Sequence, residues 1–185
     1  RRGTSCYVTF CFSPFAHVSP AVSYVFLRSY TIQNFPVRQV APTHALLFGF
    51  EAGATVATIR TVALRATADY VHAQDTRLDQ PLPFIPPLRG LFRATYQERR
   101  WMGMIEERMA ARQSRLGDGD TPTPGYAITN VGVGIRFASG GAVHDLALYL
   151  DTAFNQLYRD TLSVVKDFLP QPGRAFPPGY AVSYC

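Results

Sequence analysis

The sequence predicts an all-β fold, an antiparallel, up-and-down transmembrane β-barrel. Three observations point to it. Apolar residues recur with period two through most of the chain, not with the period of a helix. Short polar turns alternate with long Pro- and Gly-rich loops, so the short turns all fall at one end of the strands and the long loops at the other. That is the layout of a membrane barrel, with short periplasmic turns and long extracellular loops; a soluble sandwich has no reason to segregate loops by length. Third, 13 Phe, 10 Tyr and 1 Trp accompany a charged fraction of only 17% in 185 residues.

The elements follow in order. Between 45 and 56, Leu46, Phe48, Phe50, Ala52 and Val56 share one parity, while Gly49, Glu51, Gly53 and Thr55 take the other. Between 61 and 72, Val62, Leu64, Ala66, Ala68 and Tyr70 oppose Thr61, Arg65, Thr67 and Asp69. A short turn at 57–60 joins these strands into a hairpin. Residues 72–87 hold Asp75, Asp79 and four prolines and read as a loop. Alternation resumes at 88, with Phe92, Ala94 and Tyr96 opposed to Arg89, Arg93, Thr95 and Gln97. The turn Glu98-Arg99-Arg100 leads to a strand over 101–113, with Trp101, Gly103, Ile105 and Met109 outward. Glu107 falls on that apolar side, against the pattern.

A second long loop, 114–125, precedes a strand over 127–137 that sets Val131, Val133, Ile135 and Phe137 against Asn130, Gly132, Gly134 and Arg136. The turn Ser139-Gly140-Gly141 leads into 143–151, where Leu146, Leu148 and Leu150 oppose Asp145, Ala147, Tyr149 and Asp151. A third long loop spans 152–173, and a last strand runs over 179–184. Tyr70, Tyr96, Trp101, Tyr126 and Phe137 sit near strand ends, as membrane-interface aromatics do.

Composition excludes several classes. A disordered chain would be poorer in aromatics and richer in charge. A spanning helix needs roughly 20 consecutive apolar residues. The longest charge-free run, Gly3 to Leu27, is broken by Pro14 and Pro20 and diluted by polar residues. No initiator Met or signal-peptide pattern opens the sequence, which reads as processed or excised. Cys6, Cys11 and Cys185 form no Cys-x-x-Cys and are expected to be unpaired thiols.

No motif specifies an enzyme, a cofactor or a metal. Gly132-x-Gly134 lacks the third glycine of a dinucleotide loop, since Phe137 stands there and no helix follows. His17, His44, His72 and His144 have no ligand spacing. Asp118 and Asp120 are spaced like calcium ligands, but the distal Glu of an EF-hand is absent, so a solvated turn is expected. Glu106 and Glu107 point to opposite faces of one strand and cannot work as an acid/base pair.

Net charge is +5, and 17 of the 18 cations are arginine. Arginine excess suits nucleic acid. Here, however, Arg65, Arg93, Arg108, Arg112 and Arg136 all take the parity opposite the apolar stripe. That placement suits a polar barrel lumen, with Glu51, Asp69, Glu106 and Asp145 as ion-pair partners, and no nucleic acid.

Taken in order, several stretches resemble TonB-dependent outer-membrane receptors. These are Leu47-Phe48-Gly49-Phe50-Glu51-Ala52-Gly53, Ala68-Asp69-Tyr70-Val71, Pro81-Leu82-Pro83-Phe84-Ile85-Pro86-Pro87-Leu88-Arg89-Gly90, Thr121-Pro122-Thr123-Pro124-Gly125-Tyr126, Leu157-Tyr158-Arg159-Asp160 and Pro172-Gly173-Arg174. The resemblance implies the C-terminal part of a roughly 22-stranded, plugged barrel. It further implies active uptake of a scarce ligand such as a siderophore, metal chelate or cobalamin, with location in the bacterial outer membrane. The implied partners are outer-membrane lipid, the remainder of the barrel and plug, and TonB through upstream segments. Residues 29–185 are expected to hold the C-terminal strands and extracellular loops, and residues 1–28, which match poorly, up to two further strands. Two alternatives stand beside this: an independent outer-membrane barrel of about eight strands with a structural or interaction role, and a soluble basic β-sheet binding module.

Overall fold

The structure, a computed structural model, describes residues 2–7, 10–13, 16–34, 39–59, 61–163 and 165–184, with side chains described within 44–57, 61–163 and 165–183. Eleven strands form: β1 (Arg2–Tyr7), β2 (Phe10–Ser13), β3 (Ala16–Asn34), β4 (Gln39–Ile59), β5 (Val62–Asp75), β6 (Gln80–Pro81), β7 (Arg89–Glu98), β8 (Trp101–Ala110), β9 (Tyr126–Ser139), β10 (Ala142–Leu150) and β11 (Pro178–Tyr184). They make one antiparallel sheet in the order β1-β3-β4-β5-β7-β8-β9-β10-β11, with β2 on β3 and β6 on β5. Successive strands are neighbours, so the sheet is an up-and-down meander. Its end strands, β1 and β11, do not pair with each other among the described residues.

The N-terminal sequence supplies β1, β2 and most of β3, and β3 runs without a break across residues 28 and 29. The cysteine side chains lie outside those described.

Turn lengths differ from the sequence reading in ways that matter for register. β7 and β8 are joined by two residues, Arg99 and Arg100, with Glu98 paired to Trp101. Arg99 sits at φ 50°, the left-handed conformation such a tight hairpin demands. Gly140 and Gly141, at φ 61° and 77°, make the equivalent turn between β9 and β10. β8 ends at Ala110, three residues short of the expected 113. Gln113 instead forms an isolated bridge with Thr123, its N–H donating to the Thr123 carbonyl at 3.0 Å. Pro178 opens β11 at a sheet edge, where a missing N–H leaves no ladder bond unmade.

The two faces differ in chemistry. On one lie Phe48, Phe50, Phe92, Tyr96, Trp101, Ile105, Met109, Val133, Phe137, Leu146, Leu148 and Tyr180, all at least 40% exposed. So wide an exposed apolar surface calls for a covering. Glu107 lies on this face as the alternation requires, and its Oε2 accepts a hydrogen bond from Thr129 at 2.5 Å. Phe137, His144 and Tyr180 stack in sequence across β9, β10 and β11, with centroids 5.1 and 6.0 Å apart.

Tyr126 departs from its expected interface role. It pairs with Ala110 on the charged face, and its ring packs against Tyr158 of the last long loop at 4.5 Å.

The small buried core lies at the long-loop end. Ala45, Ala73 and Leu82 pack there with Leu47 and Ile85. Buried Asp75 ends β5 by accepting the N–H groups of Arg77 and Leu78 at 2.8 and 3.1 Å.

Candidate functional site: the charged face of the sheet

Because paired residues project to the same side, register decides which charges meet. Arg65 of β5 stands opposite Arg93 of β7, which stands opposite Glu106 of β8, which stands opposite Asn130 of β9. Arg93 Nε donates to Glu106 Oε2 at 2.7 Å, and Arg93 Nη2 also closes on that oxygen. Asn130 Nδ2 donates to the other carboxylate oxygen at 3.3 Å. The Glu106 side chain is 8% exposed, so these donors stand in for lost water.

Two rows toward the loops, Asp69 pairs with Arg89, whose Nε and Nη2 lie 2.9 and 2.7 Å from Asp69 Oδ2. Toward the short turns, Arg136 grips Asp145 with two parallel bonds of 2.6 and 2.9 Å. Glu51 stands directly opposite Asp69, a like charge, rather than an arginine. Arg65, Arg108 and Glu51 have no ion-pair partner among the described residues. Arg112 lies beyond the end of β8 in the loop, so it is not on the wall where a strand to 113 would have put it.

The expected charged face thus resolves into three paired sites and three unpaired charges. Arg89 and Asn130 complete two of the pairs and were absent from the sequence-based set. Arg89 shares the parity of Arg93, which was the available signal; Asn130 had none beyond its parity.

Toward the short-turn end of this face lies a concavity of about 340 Å³, lined in part by Met102, Met104, Gly132, Gly134, Ala147 and Tyr149. A Cβ on Gly132 would lie 2.8 Å from the Tyr149 ring, so the glycine is what lets that ring lie flat on the wall. Among the described residues, no group of three or more His, Cys, Asp or Glu could hold a metal ion.

The long loops form a connected layer above this face. Asp120 is their hub. Its carboxylate takes Lys166 Nζ from the last loop, the Thr121 N–H at 3.0 Å and the Phe84 N–H at 3.4 Å. Lys166 also donates to the Thr121 carbonyl at 3.1 Å, and Gln113 Nε2 donates to the Ile85 carbonyl at 2.6 Å. Thr123 and Thr161 share a buried hydroxyl contact at 2.7 Å.

No protein-family model matches the sequence. No curated protein matches it either. Solved structures do. The copper transporter OprC superposes with TM-score 0.85 at 19% identity, over 97% of this chain and 29% of that one. The ferric citrate transporter FecA gives 0.77 at 17% identity, over 98% and 31%. The FrpB iron transporter from Neisseria meningitidis gives 0.74 at 14% identity, over 97% and 30%. The chain has the fold of a TonB-dependent receptor barrel. It spans under a third of the length of each of these proteins. The open meander therefore has the fold of a stretch of such a barrel wall, and the neighbours named here are transporters.

Proposed function

We propose that these residues are wall and extracellular loops of an outer-membrane receptor that actively takes up a scarce ligand, its apolar face on lipid and its charged face on the lumen. The observation that carries this reading is the division of one up-and-down sheet into an apolar face and an ion-paired face, with all long loops at one end. The open edges β1 and β11 favour a segment of a larger barrel over a self-contained one of about eight strands. Copper and iron compounds are the cargoes named for the similar structures, which favours a metal or metal chelate.

On this reading Glu51, Arg65, Asp69, Arg93, Glu106, Arg108, Arg136 and Asp145 line the lumen. The paired members stiffen the wall. Arg65 and Arg108 are left to meet the plug or a passing anionic chelate, and Glu51 to meet the plug, with Arg112 at the rim.

The test is fractionation and uptake. The intact polypeptide should sediment with outer membranes, require detergent for extraction, and have about three times the length of this chain. Its deletion should abolish TonB-dependent growth on a limiting ferric or cupric chelate. A stable, detergent-free monomer would overturn the reading.

A further inference from the structure

We infer that the corner formed by Glu98, Arg99, Arg100 and Trp101 binds the phosphate headgroup of an anionic phospholipid in the periplasmic leaflet. This rests on the barrel reading above, which puts the two-residue turns on the periplasmic side.

Trp101 begins β8 on the apolar face and is 56% exposed; Tyr96, also outward, is 42% exposed. Such aromatics mark the depth at which a barrel leaves the hydrocarbon. The Arg100 guanidinium carbon lies 5.7 Å from the Trp101 ring centroid. This cation-π contact holds the charge over the outward indole, at headgroup depth. Arg99 is exposed beside it, and its left-handed backbone closes the turn.

Neither arginine has an ion-pair partner among the described residues. The surrounding charges are otherwise engaged. Glu98 accepts a hydrogen bond from the Tyr96 hydroxyl. Arg136, whose N–H bonds the Arg100 carbonyl, points its guanidinium to the charged face and Asp145. The Arg100 guanidinium over the outward indole, with exposed Arg99 next to it in the turn, thus offers two cations without an ion-pair partner among the described residues, and guanidinium matches phosphate in charge and bidentate geometry. The neighbouring Gly140-Gly141 turn has no charge at all, so the rim is not uniformly basic.

The full-length chain as made in the cell, extracted in mild detergent, should be examined by native mass spectrometry with added phosphatidylglycerol or phosphatidylcholine. Phosphatidylglycerol should be retained over phosphatidylcholine by roughly 30-fold, from two interfacial arginines. The R99Q/R100Q variant should lose that preference, while R159Q/R174Q, an equal charge change in the distal loop, should keep it. Equal retention by wild type and R99Q/R100Q overturns the proposal, as does equal loss in R159Q/R174Q. Displacement of the lipid by millimolar inorganic phosphate also overturns it, since the site would then read phosphate alone. A chain that inserts in membranes but shows no preference sinks this inference and leaves the barrel reading intact; a chain that retains no lipid and needs no detergent sinks both.

Discussion

Lys166 and Asp120 form an ion pair between two long loops, with side chains only 4% and 1% exposed. Lys166 is the one lysine of the chain, and the other cations are all arginines. A buried carboxylate that also accepts backbone N–H groups from its own loop and from Phe84 ties three loops into one layer. K166M should leave Asp120 buried without its cation, a loss of about 3 kcal/mol. Amide exchange across 114–125 and 152–173 should then rise by roughly 100-fold, read by hydrogen-exchange mass spectrometry. K166M/D120N should recover part of the protection. Unchanged exchange in K166M would show that the loops are held together by something else.

Arg93 and Glu106 raise the same question on the wall itself. Glu106 is nearly buried, whereas the Arg93 side chain is 39% exposed. The asymmetry predicts unequal costs. R93M strands a buried carboxylate with Asn130 alone and should cost about 2 kcal/mol, read from urea unfolding in detergent micelles. E106Q leaves an arginine that water can reach and should cost less. The double variant should recover much of the R93M loss. A R93M cost no larger than that of E106Q would refute the assigned burial.

Why Arg93 meets Glu106 was not legible in the sequence, although both residues were on the expected face. A three-residue turn, Glu98-Arg99-Arg100, centres the hairpin so that Arg93 faces Ile105. The two-residue turn moves the partner by one position, to Glu106. Period-two strands make such a slip decisive, because it exchanges every side chain between faces. Strand existence was legible where alternation was long, as from Val62 to Tyr70. Strand ends were not, and the bridge at Gln113 that removes Arg112 from the wall carries no periodic signal. Lys166 and Asp120 are 46 residues apart in aperiodic loops, so no spacing rule could have joined them.

Two glycines on the charged face should separate by environment. A Cβ on Gly49 would lie 2.5 Å from the Tyr70 carbonyl oxygen, a backbone atom that cannot rotate away. On Gly53 the nearest atom would be Thr67 Cγ2 at an ordinary 3.6 Å. G49A should therefore destabilise the wall by about 1–3 kcal/mol. G53A should be close to neutral, since alanine fits and glycine is the more flexible chain when unfolded. Urea midpoints of the two variants decide this, and equal midpoints would contradict the strand packing described for β4 and β5.

Ile105 and Met104 are adjacent in β8 and project to opposite faces, so the same substitution should give different results. Ile105 is mid-strand on the apolar face and 49% exposed. On the barrel function proposed above, arginine there sits in hydrocarbon, at a cost of about 2–4 kcal/mol near the midplane of a barrel. Met104 lines the concavity of the charged face, where room is available. M104R should fold in lipid vesicles with stability within about 1 kcal/mol of wild type. In detergent the I105R penalty should shrink, because micelles deform around a charge more readily than a bilayer does. The measurement is reversible urea unfolding in vesicles and in micelles. A penalty confined to M104R would reverse the assignment of faces, and with it which side of the sheet is lumen.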